Sequence, residues 1–137
     1  MSVRQLRFVV TVDDHDDVVQ FFREALGMPV EAAYQGPGDA RVTILDAGRA
    51  TLEVINREQA EYIDEVEVGR RVAGQVRLAL EVEDVRANTA RATRRGAAQT
   101  APPTTTAWHS RNARLEAPGG IHLTLFQELG EGDSVLE

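Results

Sequence analysis

The chain has 137 residues with 22 acidic against 15 basic side chains, a formal charge of -7, which is long enough for one domain with a real core. It contains no cysteine, and every basic residue is arginine, so disulfides, thiolate nucleophiles, zinc-thiolate sites and lysine Schiff bases are excluded. The acidic balance argues against a nucleic-acid backbone as partner, no apolar run reaches membrane-spanning length, and the start, Met1-Ser2-Val3-Arg4-Gln5, lacks the apolar core of a secretory signal; a cytoplasmic protein with no nucleic-acid or membrane partner is expected.

In chain order, Leu6 to Val12 reads as a strand of β-branched and aromatic residues, with Leu6, Phe8, Val10 and Val12 on one face and Arg7, Val9 and Thr11 on the other. Asp13 or Asp14 caps a helix in which Val18, Phe21, Phe22, Ala25 and Leu26 recur at helical spacing, and Gly27 is placed as its left-handed stop. The acidic run from Asp13 to Asp17, with His15 inside it, reads as a solvated helix start. Three short strands are expected between Pro29 and Ile55, separated by turns at Gly36-Pro37-Gly38-Asp39 and Ala47-Gly48-Arg49. Asn56 to Gly74 is charged and breaks the pattern; it reads as an inter-module connection with room for a short helix.

Val76 to Val82 restarts the strand pattern, and Asp84 caps a second helix, Val85 to Arg95, whose arginines suit the negative end of the helix dipole. Pro102-Pro103 and Thr104 to Thr106 are expected to form a loop, Trp108 to Glu116 a strand, and Pro118-Gly119-Gly120 a tight turn into a last strand. Residues 129–137 form an acidic tail, expected to be mobile.

The second half repeats the first. Arg7 returns as Arg77 at an offset of 70, Gly27 as Gly96 at 69, and Gly48 to Val54 as Gly119 to Leu125 at 71. Two copies at so long a period indicate a duplicated module closing one domain. The expected layout is module 1 at about 3–56, a connection at 57–74 and module 2 at about 75–128.

With the strand, helix and three strands of each copy, the helix end Phe22-Arg23-Glu24-Ala25-Leu26-Gly27 and the Ala117-Pro118-Gly119-Gly120 turn, the chain resembles the vicinal oxygen chelate superfamily, which includes glyoxalase I, extradiol dioxygenases and bleomycin-resistance proteins. The resemblance spans about Val3 to Glu128. It implies an α+β fold of two βαβββ modules whose curved mixed sheets line a cavity, and a homodimer that often completes two pockets from modules of both chains. Metal-dependent members carry ligands on the first and fourth strand of each module. Carried over, those positions are Arg7, Glu53, Arg77 and Thr124, of which only Glu53 is a ligand type, since a guanidinium has no lone pair to offer.

Strand parity agrees with the carry-over. It places Arg7, Glu53, Arg77, Glu81 and His122 on the cavity face, with the two arginines forming a forked salt bridge to Glu53 where a metal would otherwise sit. The expected protein binds a small organic molecule in a cavity, with no metal, no cofactor and no chemical step. Its ligand-binding residues are Arg7, Val9, Glu53, Arg77, Trp108, His122, Thr124 and Phe126, with Tyr62 and Tyr34 adding to an apolar wall. The alternative is a glyoxalase- or dioxygenase-like enzyme, using Glu53 or His122 as base or a divalent metal rebuilt on Glu53, Glu81 and His122. A third reading is a regulatory module whose cavity is filled by its own side chains.

Overall fold

A computed structural model of the chain describes residues 2–72 and 74–130. The predicted acidic tail, apart from residues 129 and 130, lies outside the described residues. Module 1 comprises β1 (Val3–Thr11), α1 (His15–Leu26), β2 (Val30–Gln35), β3 (Arg41–Asp46) and β4 (Thr51–Ile55). After α2 (Arg57–Glu67), module 2 comprises β5 (Val76–Val82), α3 (Val85–Arg94), β6 (Ala98–Thr105), β7 (Ser110–Ala117) and β8 (Ile121–Glu128). One eight-stranded sheet runs β2-β3-β4-β1-β5-β8-β7-β6.

The predicted helix boundaries have local causes. Gly27 ends α1 at φ 68° and its N–H reaches the Phe22 carbonyl, a conformation that a Cβ would penalise. Asp84 accepts from the Ala87 N–H at the start of α3. Asp14 stands at the N-cap of α1 without a side-chain cap bond, and the acidic first turn supplies Asp16 and Asp17 to the positive end of the dipole instead.

The modules meet within the chain through β1 and β5, which pair antiparallel with Phe8 opposite Leu78. Because Leu78 is also the repeat counterpart of Phe8, a local two-fold axis passes through that pair. Arg7 therefore lies opposite Ala79 and Val9 opposite Arg77, which puts the two arginines on a diagonal across the axis. Residues of both modules of the one chain thus line the cavity between them.

Outer-face packing is divided between the two repeat helices. α1 covers a core of Val19, Leu45 and Val54, and α3 covers Val82, Val85, Ala113, Leu115 and Leu125. On the inner face lies a third cluster, including Val9, Ile44, Ile55, Ala79 and Phe126, and the helix packed on it is α2. Residues 42–45 of β3 are buried on both faces for this reason.

The connection holds an 11-residue helix whose buried positions, Gln59, Ala60, Ile63, Asp64 and Glu67, recur every three to four residues and face the sheet. Two expectations need correction. Pro102 and Pro103 lie in β6, not in a loop; β6 is an edge strand with register shifts on either side of Ala101, the setting in which a missing N–H is tolerated. Trp108 belongs to the turn before β7, where the Thr106 N–H donates to the Ser110 carbonyl and His109 adopts φ 65°.

A buried charge network fastens α2 to module 2. Arg114 on β7, 2 % exposed, donates to Asp64 at 2.9 Å and to Glu67 at 3.2 Å. Asn112 donates to the other Glu67 oxygen at 2.6 Å, while Arg71 and the Val72 N–H reach Asp64 at 2.7 and 2.8 Å. Removing one member leaves an opposing charge buried without its partner, at a cost of about 3–5 kcal/mol. Asp64→Ala is accordingly expected to lose about that much in urea unfolding, whereas the exposed Glu65→Ala stays within about 0.5 kcal/mol of wild type.

Candidate functional site

Between α2 and the inner face of the sheet lies a cavity of about 610 Å³. Its floor holds Arg7, Glu53, Arg77, Ala79, Thr124 and Phe126 from four adjacent strands. One wall is α2, through Gln59, Tyr62, Ile63 and Glu67, and the mouth is edged by Glu31, Tyr34, Trp108 and Glu128.

Register explains the floor. β4 pairs parallel with β1, setting Glu53 beside Val9, and β5 sets Arg77 on the other side of Val9. Glu53 and Arg77 thus reach toward each other across Val9, and Arg7 approaches from one pleat along. The Glu53 carboxylate ends 4.0 Å from the Arg7 Nη1 and 3.9 Å from the Arg77 Nη2. These separations exceed hydrogen-bond length, so the expected forked salt bridge is instead a loose bracket.

Each arginine has closer partners. Arg7 donates through Nε to Gln5 at 2.8 Å, lies 3.6 Å from Glu128 and stacks over Phe126 with 4.8 Å to the ring centroid. Arg77, 7 % exposed, donates to the Thr124 hydroxyl at 2.7 Å. Burial lowers the pKa of Arg77, opposed chiefly by Glu67 and Glu53. A guanidinium stays protonated through such a perturbation.

Glu53 is the outlier. It is 8 % exposed, it faces the cavity, and it accepts no hydrogen bond among the described residues. Burial raises its pKa above the ordinary 4.5 despite the opposing pull of Arg77 and then Arg7, and Glu67 adds to the rise. The carboxylate opens onto the cavity, where a donor on a bound ligand can reach it.

The other predicted residues divide. Thr124 and Phe126 line the floor and Trp108 the mouth, where its ring lies 6.0 Å from that of Tyr62 at 56°. Tyr34 edges the mouth and is 63 % exposed. Val9 is 2 % exposed and packs within the inner core, beneath the cavity and not in its wall. His122 shares the parity of Thr124 but lies outside the cavity, opposite Glu116.

The ligand set rebuilt on Glu53, Glu81 and His122 is not assembled. β8 runs parallel to β5 with Ala79 beside Thr124 and Glu81 beside Phe126, so His122 falls level with Arg77. Glu81 and His122 then stand four residues apart along the strands, about 13 Å. Among the described residues, no three histidine or carboxylate side chains cluster closely enough for a metal ion. The four positions that the fold offers a cation present two guanidiniums, one hydroxyl and one carboxylate, a set that does not fit a divalent metal.

Glu67, Asn112 and Ser110 escaped sequence reading. Ser110 donates to Asn112 at 2.7 Å and Asn112 to Glu67, so a polar chain runs from the Trp108 turn to α2 along one side of the cavity. Only the alternation of Ser110 and Asn112 on β7 could have signalled it. A carboxyl whose folded-state pKa lies above its unfolded value adds stability that is complete below the unfolded pKa and lost as pH rises through the folded one. Ionised Glu53 therefore lowers stability at neutral pH. Glu53→Gln is expected to melt above wild type at neutral pH, with the two melting curves converging below pH 4.5 in a calorimetric pH series.

Sequence and structure comparisons place this site in a known fold. The profile of the Glyoxalase/Bleomycin resistance protein/Dioxygenase superfamily matches residues 4–125. No curated protein matches the chain. Similar solved structures include a hypothetical protein from Bacillus halodurans, with TM-score 0.72 and 14% identity over 98% of this chain and 100% of that one. A methylmalonyl-CoA epimerase from Mycobacterium tuberculosis superposes with TM-score 0.67 and 19% identity, covering 94% and 91% of the two chains. One from Streptomyces coelicolor, in complex with 2-nitronate-propionyl-CoA, gives 0.66 and 22% over 95% and 100%. With its two modules in one eight-stranded sheet and its sequence matched from residue 4 to residue 125, the chain belongs to the Glyoxalase/Bleomycin resistance protein/Dioxygenase superfamily.

Proposed function

We propose that the chain binds a small, flat organic molecule in its inner cavity without a metal ion, and that the ligand presents an N–H or O–H donor to Glu53. The observation that carries this reading is the cavity-facing Glu53 carboxylate, buried and without a hydrogen bond, with a guanidinium about 4 Å away on each side. Arg7 and Arg77 hold that charge in place while spending their own shorter contacts on Gln5, Glu128 and Thr124. With the arginines so engaged, the Glu53 carboxylate is the group on the cavity floor that a ligand donor can address.

Charge and shape support the same class. Four carboxylates line the cavity, Glu31, Glu53, Glu67 and Glu128, against Arg7 and Arg77, so a cationic or neutral donor meets less repulsion than an anion. Tyr34, Tyr62 and Trp108 supply aromatic faces at the mouth, suited to a flat ring or a protonated amine. The volume matches that of ordinary small-molecule pockets.

A second reading is favoured by one observation. A cavity-facing carboxylate with a raised pKa is what a proton-abstracting base requires, and the epimerases of similar fold are enzymes. Metal-free proton transfer by Glu53 on a bound carbonyl compound is the form this would take. Solvent deuterium appearing in a bound ligand, and lost in Glu53→Gln, selects it over simple binding.

The binding proposal is tested by a thermal-shift library of amine-bearing heteroaromatics and of aromatic carboxylates, followed by Trp108 fluorescence titration. Amine-bearing hits are expected to quench or shift Trp108, the chain's only tryptophan, and to lose about 10–100-fold in affinity in Glu53→Gln. Carboxylates that bind as well in the variant as in wild type would overturn the assignment.

A further inference from the structure

The α2 wall of the cavity holds a polar group that the charged floor does not engage. Gln59 is 7 % exposed and lines the cavity, and its amide oxygen is buried with no hydrogen-bond partner among the described residues. Local structure fixes where it stands. Asn56 caps α2: its Oδ1 accepts from the Gln59 N–H at 2.9 Å and from the Arg41 N–H at 3.0 Å, and its Nδ2 donates to the Asp39 carbonyl at 2.6 Å. One side chain thus ties the first turn of α2 to the turn between β2 and β3, which closes with the Gly36 N–H on the Ala40 carbonyl at 3.1 Å. Gly36 is seated against Gln59, since a Cβ there would stand 2.8 Å from the amide oxygen and 3.0 Å from the Ala40 Cβ.

The amide oxygen is therefore turned into the protein, toward Gly36, and the NH2 is the end left to the cavity. Packing alone does not account for an amide here. A leucine would occupy the same space without burying an oxygen that meets no donor. The cavity thus presents an acceptor on its floor, Glu53, and a donor on its wall, Gln59. Their separation follows from register: Ile44 lies opposite Glu53, and Ala40, which closes on the same Gly36, is four residues from Ile44, about 13 Å along the strand direction. Val42 falls between those levels, and Ile44 and Ile63 add apolar surface to the same cavity.

We infer that Gln59 is the second anchor of the cavity, its NH2 donating to a ring nitrogen or carbonyl oxygen at the end of the ligand remote from the donor held by Glu53. The inference rests on the Glu53 reading and extends it to the other end of the ligand. Polar side chains reaching inward from both levels shorten the span, and what remains suits two fused rings better than one. The ligand class narrows accordingly to elongated, flat amines that carry an acceptor at the far end. Because the amide is neutral, this end selects by hydrogen bonding and not by sign of charge: an analogue without the acceptor leaves the Gln59 donor unmet and binds less tightly.

Isothermal titration calorimetry with two isosteric amines, 6-aminoquinoline and 2-aminonaphthalene, which differ by one ring nitrogen, tests this directly. Wild type is expected to bind the quinoline about 10-fold more tightly. Gln59→Leu is expected to bind the two equally, and Glu53→Gln to bind both more weakly while keeping the preference. Should Gln59→Leu fail to fold, Gln59→Met, whose unbranched chain follows the path of glutamine without the amide, takes its place. Equal binding of the two amines by wild type overturns the inference, as does a preference that survives removal of the amide. In either case, weakening of both amines in Glu53→Gln leaves the Glu53 reading standing. Binding of neither amine to wild type overturns that reading and this inference together.

Discussion

One carboxylate, Glu53, sets the character of the inner cavity because strand register gives it no choice of neighbours. β4 parallel to β1, and β1 antiparallel to β5, bring Glu53 and Arg77 to either side of Val9 with Arg7 one pleat away. At 3.9 and 4.0 Å the two guanidiniums are near enough to stabilise the negative charge and too far to satisfy its lone pairs. Burial then outweighs their attraction, which is why the pKa of Glu53 rises although two positive groups flank it. Sites that store such a cost in the free protein are suited to recovering it when a ligand donor arrives.

The rest of the structure keeps that arrangement in place. α2, which belongs to neither repeat, covers the inner face and walls the cavity, and it is held by Asp64 and Glu67 against Arg114 and Asn112. The polar chain from Ser110 through Asn112 to Glu67 ties the Trp108 turn to the same helix, so aromatic mouth and charged floor share one scaffold. Duplication supplies symmetry, and divergence breaks it where chemistry is needed. Arg7 and Arg77 are repeat counterparts, but Glu53 in module 1 answers to Thr124 in module 2, leaving one acidic centre in a two-fold frame.

Much of this was legible in the sequence because its signals are periodic. An alternation of two set Arg7, Glu53 and Arg77 each on the less apolar face of its strand, the family resemblance joined those faces into one cavity, and glycines at 27 and 96 and the Gly119-Gly120 pair punctuated the modules where positive φ is needed. What stayed hidden depends on tertiary placement. Asp64 and Glu67 look like solvated charges in an acidic connection until Arg114 is known to lie above them. His122 has the right parity, but only the offset between β5 and β8 shows that it falls beyond the cavity. Proline disguised β6 as a loop, since an edge strand tolerates missing donors, and no pattern distinguishes a tryptophan starting a strand from one in the turn before it.

A metal titration tests the central claim most directly, because the same fold positions that here hold arginines are those where a cation would need lone pairs. Chelator-treated protein would be titrated calorimetrically with nickel, manganese, iron(II), cobalt and zinc, with melting temperature followed in parallel. If Arg7 and Arg77 make Glu53 an anchor for an organic donor, no ion binds stoichiometrically and the melting temperature is unmoved. One-to-one binding of any of these ions, with a rise in melting temperature that Glu53→Gln abolishes, would contradict the account.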